Sequence, residues 1–356
     1  MDLFSTATML EVVKEREDEV QGQSSFLRDT FFKRVETFST EQVCYDYTYS
    51  KRDMAQFSHP RVGGTALKRE GFETRYFIPP ELAPEMVTTV DNLIKRTPGE
   101  AIGGSLDPMQ RAAKQLGDDL RHIDDTISRR EEWMCAEALL TGGIDFVGEG
   151  INDSVLYWTT RNGGVGDPYT ALTSTALWSA HSTCDPLADF NTAVRAIVQQ
   201  SGVSPDVCIM GSQAYDNFIQ SDIIQKYLDN RRINLGDLPL SVPMPAGVRH
   251  QGTIAGLDIL TYDAWYFDES QNAEVPMFDP EKILIASTKQ DNGFMAYGAV
   301  ALMGREPEDA PRIYAERRVP DSYIQRKNPA GRIVQIKSRP LPVITRKNAF
   351  YVYTVL

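Results

Sequence analysis

Histidine and cysteine are scarce in this chain, four of each in 356 residues. The cysteines, Cys44, Cys135, Cys184 and Cys208, stand far apart and form no C-x-x-C, which excludes a zinc ribbon and a disulfide framework and favours reduced thiols. The histidines His59, His122, His181 and His250 show no metal-ligand spacing with one another. His181 and Cys184 are three apart, but two ligands do not make a site, and the segment before Pro186 reads as a loop. Neither a metal nor a cofactor is expected. G-x-S-x-G, H-E-x-x-H, G-x-x-x-x-G-K-[ST] and a helix-opening G-x-G-x-x-G are also missing, and "DFVGEGIND" holds only a G-x-G fragment in β-like surroundings. With no nucleophile at recognisable spacing from a base, no catalytic residue is assigned, and the chain is read as a non-enzyme.

Long apolar runs are absent too. None approaches 18 residues, and the start "MDLFSTATMLEVVKEREDEV" lacks a basic region followed by an apolar one, so neither a membrane span nor an export signal is expected. Positive charge is in deficit: 37 Lys and Arg against 49 Asp and Glu leave a net charge of -12. That argues against a dedicated nucleic-acid binder, which needs a basic footprint, and is compatible with a wall that must not hold nucleic acid.

What is present is a long helix. Residues 107 to 141 carry Asp107 as a cap, Pro108 at the first helical position, Gln110 as capping-box partner, and Gly142 with Gly143 as the stop. Met109, Leu116 and Ile123, with Ala113, Leu120, Ile127 and Met134, form one apolar stripe, predicted to pack on the protein's own sheet. Gly117 lies inside this helix at a cost of about 1 kcal/mol relative to Ala, so a bend is cheapest there. The acidic pairs Asp118–Asp119 and Asp124–Asp125 read as a solvated, ion-paired face rather than an acid/base site.

Around this strut the chain divides. Residues 5 to 20 read as a short helical arm outside any core, and "SFLRDTFF" as a small amphipathic helix. "FSTEQVCYDYTYS" and "ETRYFI" read as the two strands of an extended hairpin with a polar, basic tip. Alternating helices and strands over 180 to 300 predict a compact α/β unit with its own core, "SQAYDNFIQSDIIQKYLDN" being one helix of it and "RRINLGDLPLSVPMPAG" an exposed projection. Arg61, Lys68, Arg69 and Arg75 on the hairpin are candidate inter-subunit contacts, since an acidic chain offers acidic neighbours, and Arg317, Arg318, Arg326 and Lys327, with Arg332, form a second basic cluster in the β-rich tail that reads equally as a subunit contact or a solvated loop.

In this order the parts resemble the HK97-like major capsid proteins of tailed phages, and more specifically the phage lambda major capsid protein family. The residues that carry the resemblance are "FLRDTFF", "ETFSTEQVCYD", "KREGFETRYFIPPELAPEMVTTVDNLIKRTPGE", "RREEWMCAEALLTG" and "RPLPVITRKNAFYVYTVL", which keep their order over nearly the whole chain. The resemblance implies an α+β, HK97-like fold. Residues 1–40 would be the N-arm, 41–83 the extended E-loop, and 84–175 the P-domain with its spine helix at 107–141. Residues 176–300 would be the A-domain with a tip at 233–247, 301–338 the P-domain return hairpin, and 339–356 a strand returning to the A-domain.

It also implies a coat protein that forms homo-oligomeric hexamers and pentamers of an icosahedral shell, with a scaffolding protein and a portal as partners and a decoration protein as a further candidate. Such a shell encloses double-stranded DNA without sequence-specific contact and expands on maturation, with Gly117 as the candidate conformational hinge. The implied location is the virion, and the host cytoplasm during assembly. Some members of the wider fold weld Lys to Asn, and Lys68, Asn328 and Asn348 supply the residue types, but no apolar setting lowers the Lys68 pKa and no crosslink is expected. Alternatives are an encapsulin-like shell, an α/β enzyme centred on 180 to 300, and a dimeric binding module using the strut as a coiled coil.

Overall fold

The computed structural model describes residues 4–19, 25–48, 54–55, 57, 59, 61, 71–89, 107–148, 150–164, 166–230, 245–269, 271–303, 310–326 and 330–356. Its central element is the helix Pro108–Thr141, 34 residues long. The Asp107 N–H donates to Gln110 Oε1 at 3.3 Å, and Gly142 ends the helix in the left-handed region at φ 69°. A Cβ on Gly142 would strike the Trp158 indole, so glycine is required twice over.

The apolar stripe packs from Leu116 onward: Leu116, Leu120, Ile123, Ile127 and Met134 are buried. Met109, expected in the same stripe, is exposed instead, and so is its neighbour Gln110. The reason lies in the partner surface, because the side chains that cover the helix's first half meet it from Leu116 on. Those side chains include Met9 and Val13 of the arm helix Thr6–Glu19, four apart on one face, with Val334 and Ile336 of the tail. The arm therefore contributes to a core, contrary to the reading of residues 5 to 20 as an outlying appendage.

The second half of the helix lies on a six-stranded sheet of order Tyr169–Ala171, Phe350–Thr354, Lys282–Ala286, Val207–Met210, Leu257–Tyr262, Val248–Ile254. Strand alternation divides this sheet between two cores. Val207, Ile209 and Leu284 face the long helix and the short helix Phe26–Phe31. Cys208, Met210, Ile283 and Ile285 face the helices Pro186–Ser201, Ser212–Gln220 and Asp222–Asn230. The α/β unit thus shares one of its faces with the strut, and its sheet is completed by the chain's last strand. The predicted single helix over 212 to 230 is broken at Ser221, which is fully buried and lies within 3.4 Å of the Cys184 thiol.

A three-stranded sheet of Val319–Gln325, Gly331–Lys337 and Glu85–Thr89 lies against the first half of the strut. Another joins Arg34–Thr37, Gly293–Tyr297 and Pro340–Ile344. Among the described residues, four hairpins pair only with themselves: Val43–Thr48 with Phe72–Phe77, Gly143–Gly148 with Ile151–Leu156, Trp265–Asp268 with Ala273–Pro276, and Val300–Leu302 with Arg312–Tyr314. The expected projection over 231 to 247 lies almost wholly outside the described residues.

Candidate functional site

Glu131 and Glu132 sit in mid-helix and are both fully buried. Adjacent helical residues point about 100° apart, so the two carboxylates meet different neighbours. Glu131 accepts from Arg318 Nη1 at 2.6 Å, Arg28 Nη1 at 3.0 Å, Arg317 Nη2 at 3.1 Å and the Tyr297 hydroxyl at 3.0 Å. Arg318, 2% exposed, also donates from Nε to Asp124 Oδ1 at 2.9 Å and from Nη1 to Ser338 Oγ at 3.2 Å. Glu132 Oε1 accepts from the Leu27 N–H at 2.7 Å and the Tyr262 hydroxyl at 2.9 Å, and its Oε2 from the Arg28 N–H at 3.0 Å.

The two carboxyls are held in opposite electrostatic states. For Glu131, burial works upward, but the guanidiniums of Arg318, Arg317 and Arg28 outweigh it and hold the group well below the usual carboxylate range. For Glu132, burial dominates over its three hydrogen bonds and pushes the group up to about 7. Together they tie the small helix Phe26–Phe31, the strut, two strands of separate sheets and the tail at one point. A buried ion pair of this kind fixes geometry more than it adds net stability. The sequence reading missed it, although a signal exists: Asp119, Ile123, Ile127, Glu131, Cys135 and Leu139 form an i, i+4 row with two acids in an apolar face.

Other candidates fall into place around this node. Arg317 and Arg318, expected at a subunit surface, are used inside the subunit because Glu131 needs them as counter-charges. Asp119 and Asp124 leave the supposed solvated face: Asp119 is buried and accepts from Thr88 Oγ1 at 3.1 Å, while Asp124 binds Arg318. Arg75 donates to Glu73 Oε1 and to the Leu156 carbonyl, each at 3.2 Å. Arg61 is exposed, and its N–H donates to His59 Nδ1 at 3.2 Å. Arg326 stands at a cavity of about 410 Å³ bounded by Phe4, Leu116, Ile324 and Arg332. Arg61, Arg75 and Arg326 thus have separate surroundings rather than one shared cluster. Lys68, Arg69, Lys327 and Asn328 lie outside the described residues. Gly117 is on the exposed side of the strut with open space where a Cβ would stand. Among the described residues no cluster of three His, Cys, Asp or Glu could hold a metal.

The outer surface is the more telling feature. Large apolar side chains stand out on the self-paired hairpins: Tyr76, Val147, Trp265, Phe267 and Ile313 are all more than half exposed. Such surface calls for further protein to cover it.

Comparison with known proteins gives the same direction. Residues 5–355 match the family model described as phage major capsid protein E. The chain belongs to this family. It is 24% identical over 362 residues to the major capsid protein of Escherichia phage lambda, with 98% of each chain covered. To the major capsid protein of Enterobacteria phage P21 it is 25% identical over 360 residues, with 100% of both covered. Among solved structures, the capsid protein of an Escherichia coli CFT073 prophage superposes with a TM-score of 0.66 at 20% identity, covering 94% of each chain. A phage-related protein from Bordetella bronchiseptica RB50 gives 0.51 at 11% identity, covering 92% of this chain and 90% of that one. The fold is the α+β, HK97-like capsid fold.

Proposed function

We propose that this family member is the coat-forming subunit of a tailed-phage head. Its copies assemble into hexamers and pentamers, then into a closed icosahedral shell around double-stranded DNA. The observation that carries the reading is that, among the described residues, hairpins that pair only with themselves leave Tyr76, Val147, Trp265, Phe267 and Ile313 more than half exposed. A subunit of a thin wall has that property, because hairpins that bury little on their own chain are buried by neighbours.

Assembly of such a shell brings in further partners. A scaffolding protein sets the curvature of the first shell, a portal admits the DNA, and a decoration protein is a candidate for the outer face. The net charge of -12 suits an inner wall that releases DNA rather than holding it by its phosphates. The location is the virion capsid, and the host cytoplasm during assembly. No role in catalysis is proposed for any residue, and no Lys–Asn crosslink between subunits.

Expansion on maturation supplies the test. Shells collected before and after DNA filling are sized by cryo-electron microscopy. A larger, thinner-walled filled shell supports the reading; identical dimensions and wall thickness in the two states oppose it.

A further inference from the structure

The helix Phe26–Phe31 follows the arm helix and precedes the strand Arg34–Thr37, which pairs in parallel with Gly293–Tyr297. The first amides of a helix have no partner within it. The usual remedy is the side chain of the preceding residue, yet Ser25 makes no such bond. Glu132, 105 residues beyond Leu27, takes the role instead. Its Oε1 accepts from the Leu27 N–H and its Oε2 from the Arg28 N–H, the second and third amides of the helix. Its Oε1 also accepts from the Tyr262 hydroxyl in the strand Leu257–Tyr262. One buried carboxyl therefore ties the short helix to both the strut and the central sheet.

None of these three donors is a cation. On the strut, the neighbouring Glu131 is engaged by Arg318, Arg317 and Arg28, and burial keeps the Cys135 thiol protonated. On the short helix, the Arg28 guanidinium is turned to Glu131 and Asp29, and it acts on Glu132 less than any of the three hydrogen bonds does. On the sheet, burial and the facing Glu132 keep the proton on Tyr262. An ionised Glu132 is thus a buried charge among neutral donors, and burial outweighs them, which pushes the group up to about 7. A neutral Glu132 can keep the cap and offer its proton to the Tyr262 oxygen, since a hydroxyl accepts as well as donates.

We propose that Glu132 is a proton-operated latch: neutral, it holds the helix Phe26–Phe31 against the strut and the sheet, and ionised, it loosens that hold. Opening carries the carboxyl into water, where it ionises near its ordinary 4.5. The hold is therefore full below that value, weakens as pH rises from it to about 7, and changes little above. Phe26, Leu27, Phe31 and Phe32 remain in the core, so the open form is a minor one at every pH. Amide exchange reads such a form.

The test is hydrogen–deuterium exchange of the unassembled full chain at pH 5.5 and 7.5, resolved to the Leu27 and Arg28 amides and corrected for the intrinsic pH dependence of exchange. The opening ratio at these two amides is expected to rise about tenfold or more between the two pH values, while amides of the helix Pro186–Ser201 stay within about twofold. Glu132→Gln keeps the shape without the titration and should leave the two amides within about twofold as well. Where that variant does not fold, the contrast between the two sets of amides in the parent decides. An unchanged ratio at Leu27 and Arg28, a rise shared by the helix Pro186–Ser201, or a rise that persists in Glu132→Gln overturns the proposal.

Discussion

Replacing Glu131 by Gln keeps the shape of the side chain and removes its charge. Three guanidiniums then face a neutral amide: Arg318 retains Asp124 at 2.9 Å and Arg28 retains Asp29 at 2.9 Å, but the fully buried carboxylate that balanced all three is gone. Breaking one partner out of a buried pair costs about 3–5 kcal/mol, because the other charge is left without compensation. With an unfolding entropy of about 2.1 cal/mol/K per residue over 356 residues, that loss lowers Tm by about 4–7 °C. The assay is calorimetry of unassembled subunits at about pH 7.5 and fixed concentration, since assembly would add its own stabilisation. Adding Arg318→Met to Glu131→Gln is expected to recover part of the loss by removing the stranded charge. A fall in Tm below about 1.5 °C for Glu131→Gln would refute the reasoning, for it would mean that water already screens the node.

The same strut supports further tests. Glu132 is raised from 4.5 to about 7 in the fold, so its contribution to stability is present below pH 4.5 and is lost as pH rises through about 7; Tm measured from about pH 5 to 8 should fall from this group, and Glu132→Gln should flatten that part of the profile. Glu131 has the opposite sign, its contribution being present above the ordinary carboxylate value and lost on acidification below it. Gly117→Ala meets open space and should stabilise the straight helix by about 1 kcal/mol; expansion followed by light scattering tests the proposal that Gly117 is a hinge, and a rate unchanged from the parent would count against it. Gly142→Ala combines a positive φ with a collision into Trp158, and a loss above about 3 kcal/mol, or insoluble protein, is expected on denaturant titration.

Legibility in the sequence followed the range of the interactions involved. The strut's ends were readable because caps act within one turn: Asp107, Pro108, Gln110 and Gly142 each do locally what their chemistry requires. The hairpin of Val43–Thr48 with Phe72–Phe77 was readable because both strands alternate and end in turn residues. What depends on distant segments was not. Arg318 and Glu131 are 187 residues apart, and nothing local distinguishes a buried arginine from one on a surface loop. Met9 and Val13 in the arm likewise gain their burial from residues on the strut and the tail, far along the chain. The break at Ser221 escaped because the apolar period continues through it; the bend answers to packing around Cys184.

If these subunits exist to cover one another, the purified chain must associate. Sedimentation velocity, with negative-stain imaging of what sediments, tests that most directly. Closed particles, or rings of hexamer and pentamer size, are expected, and their share should rise with concentration. A single monomeric or dimeric species at every concentration and salt would contradict it.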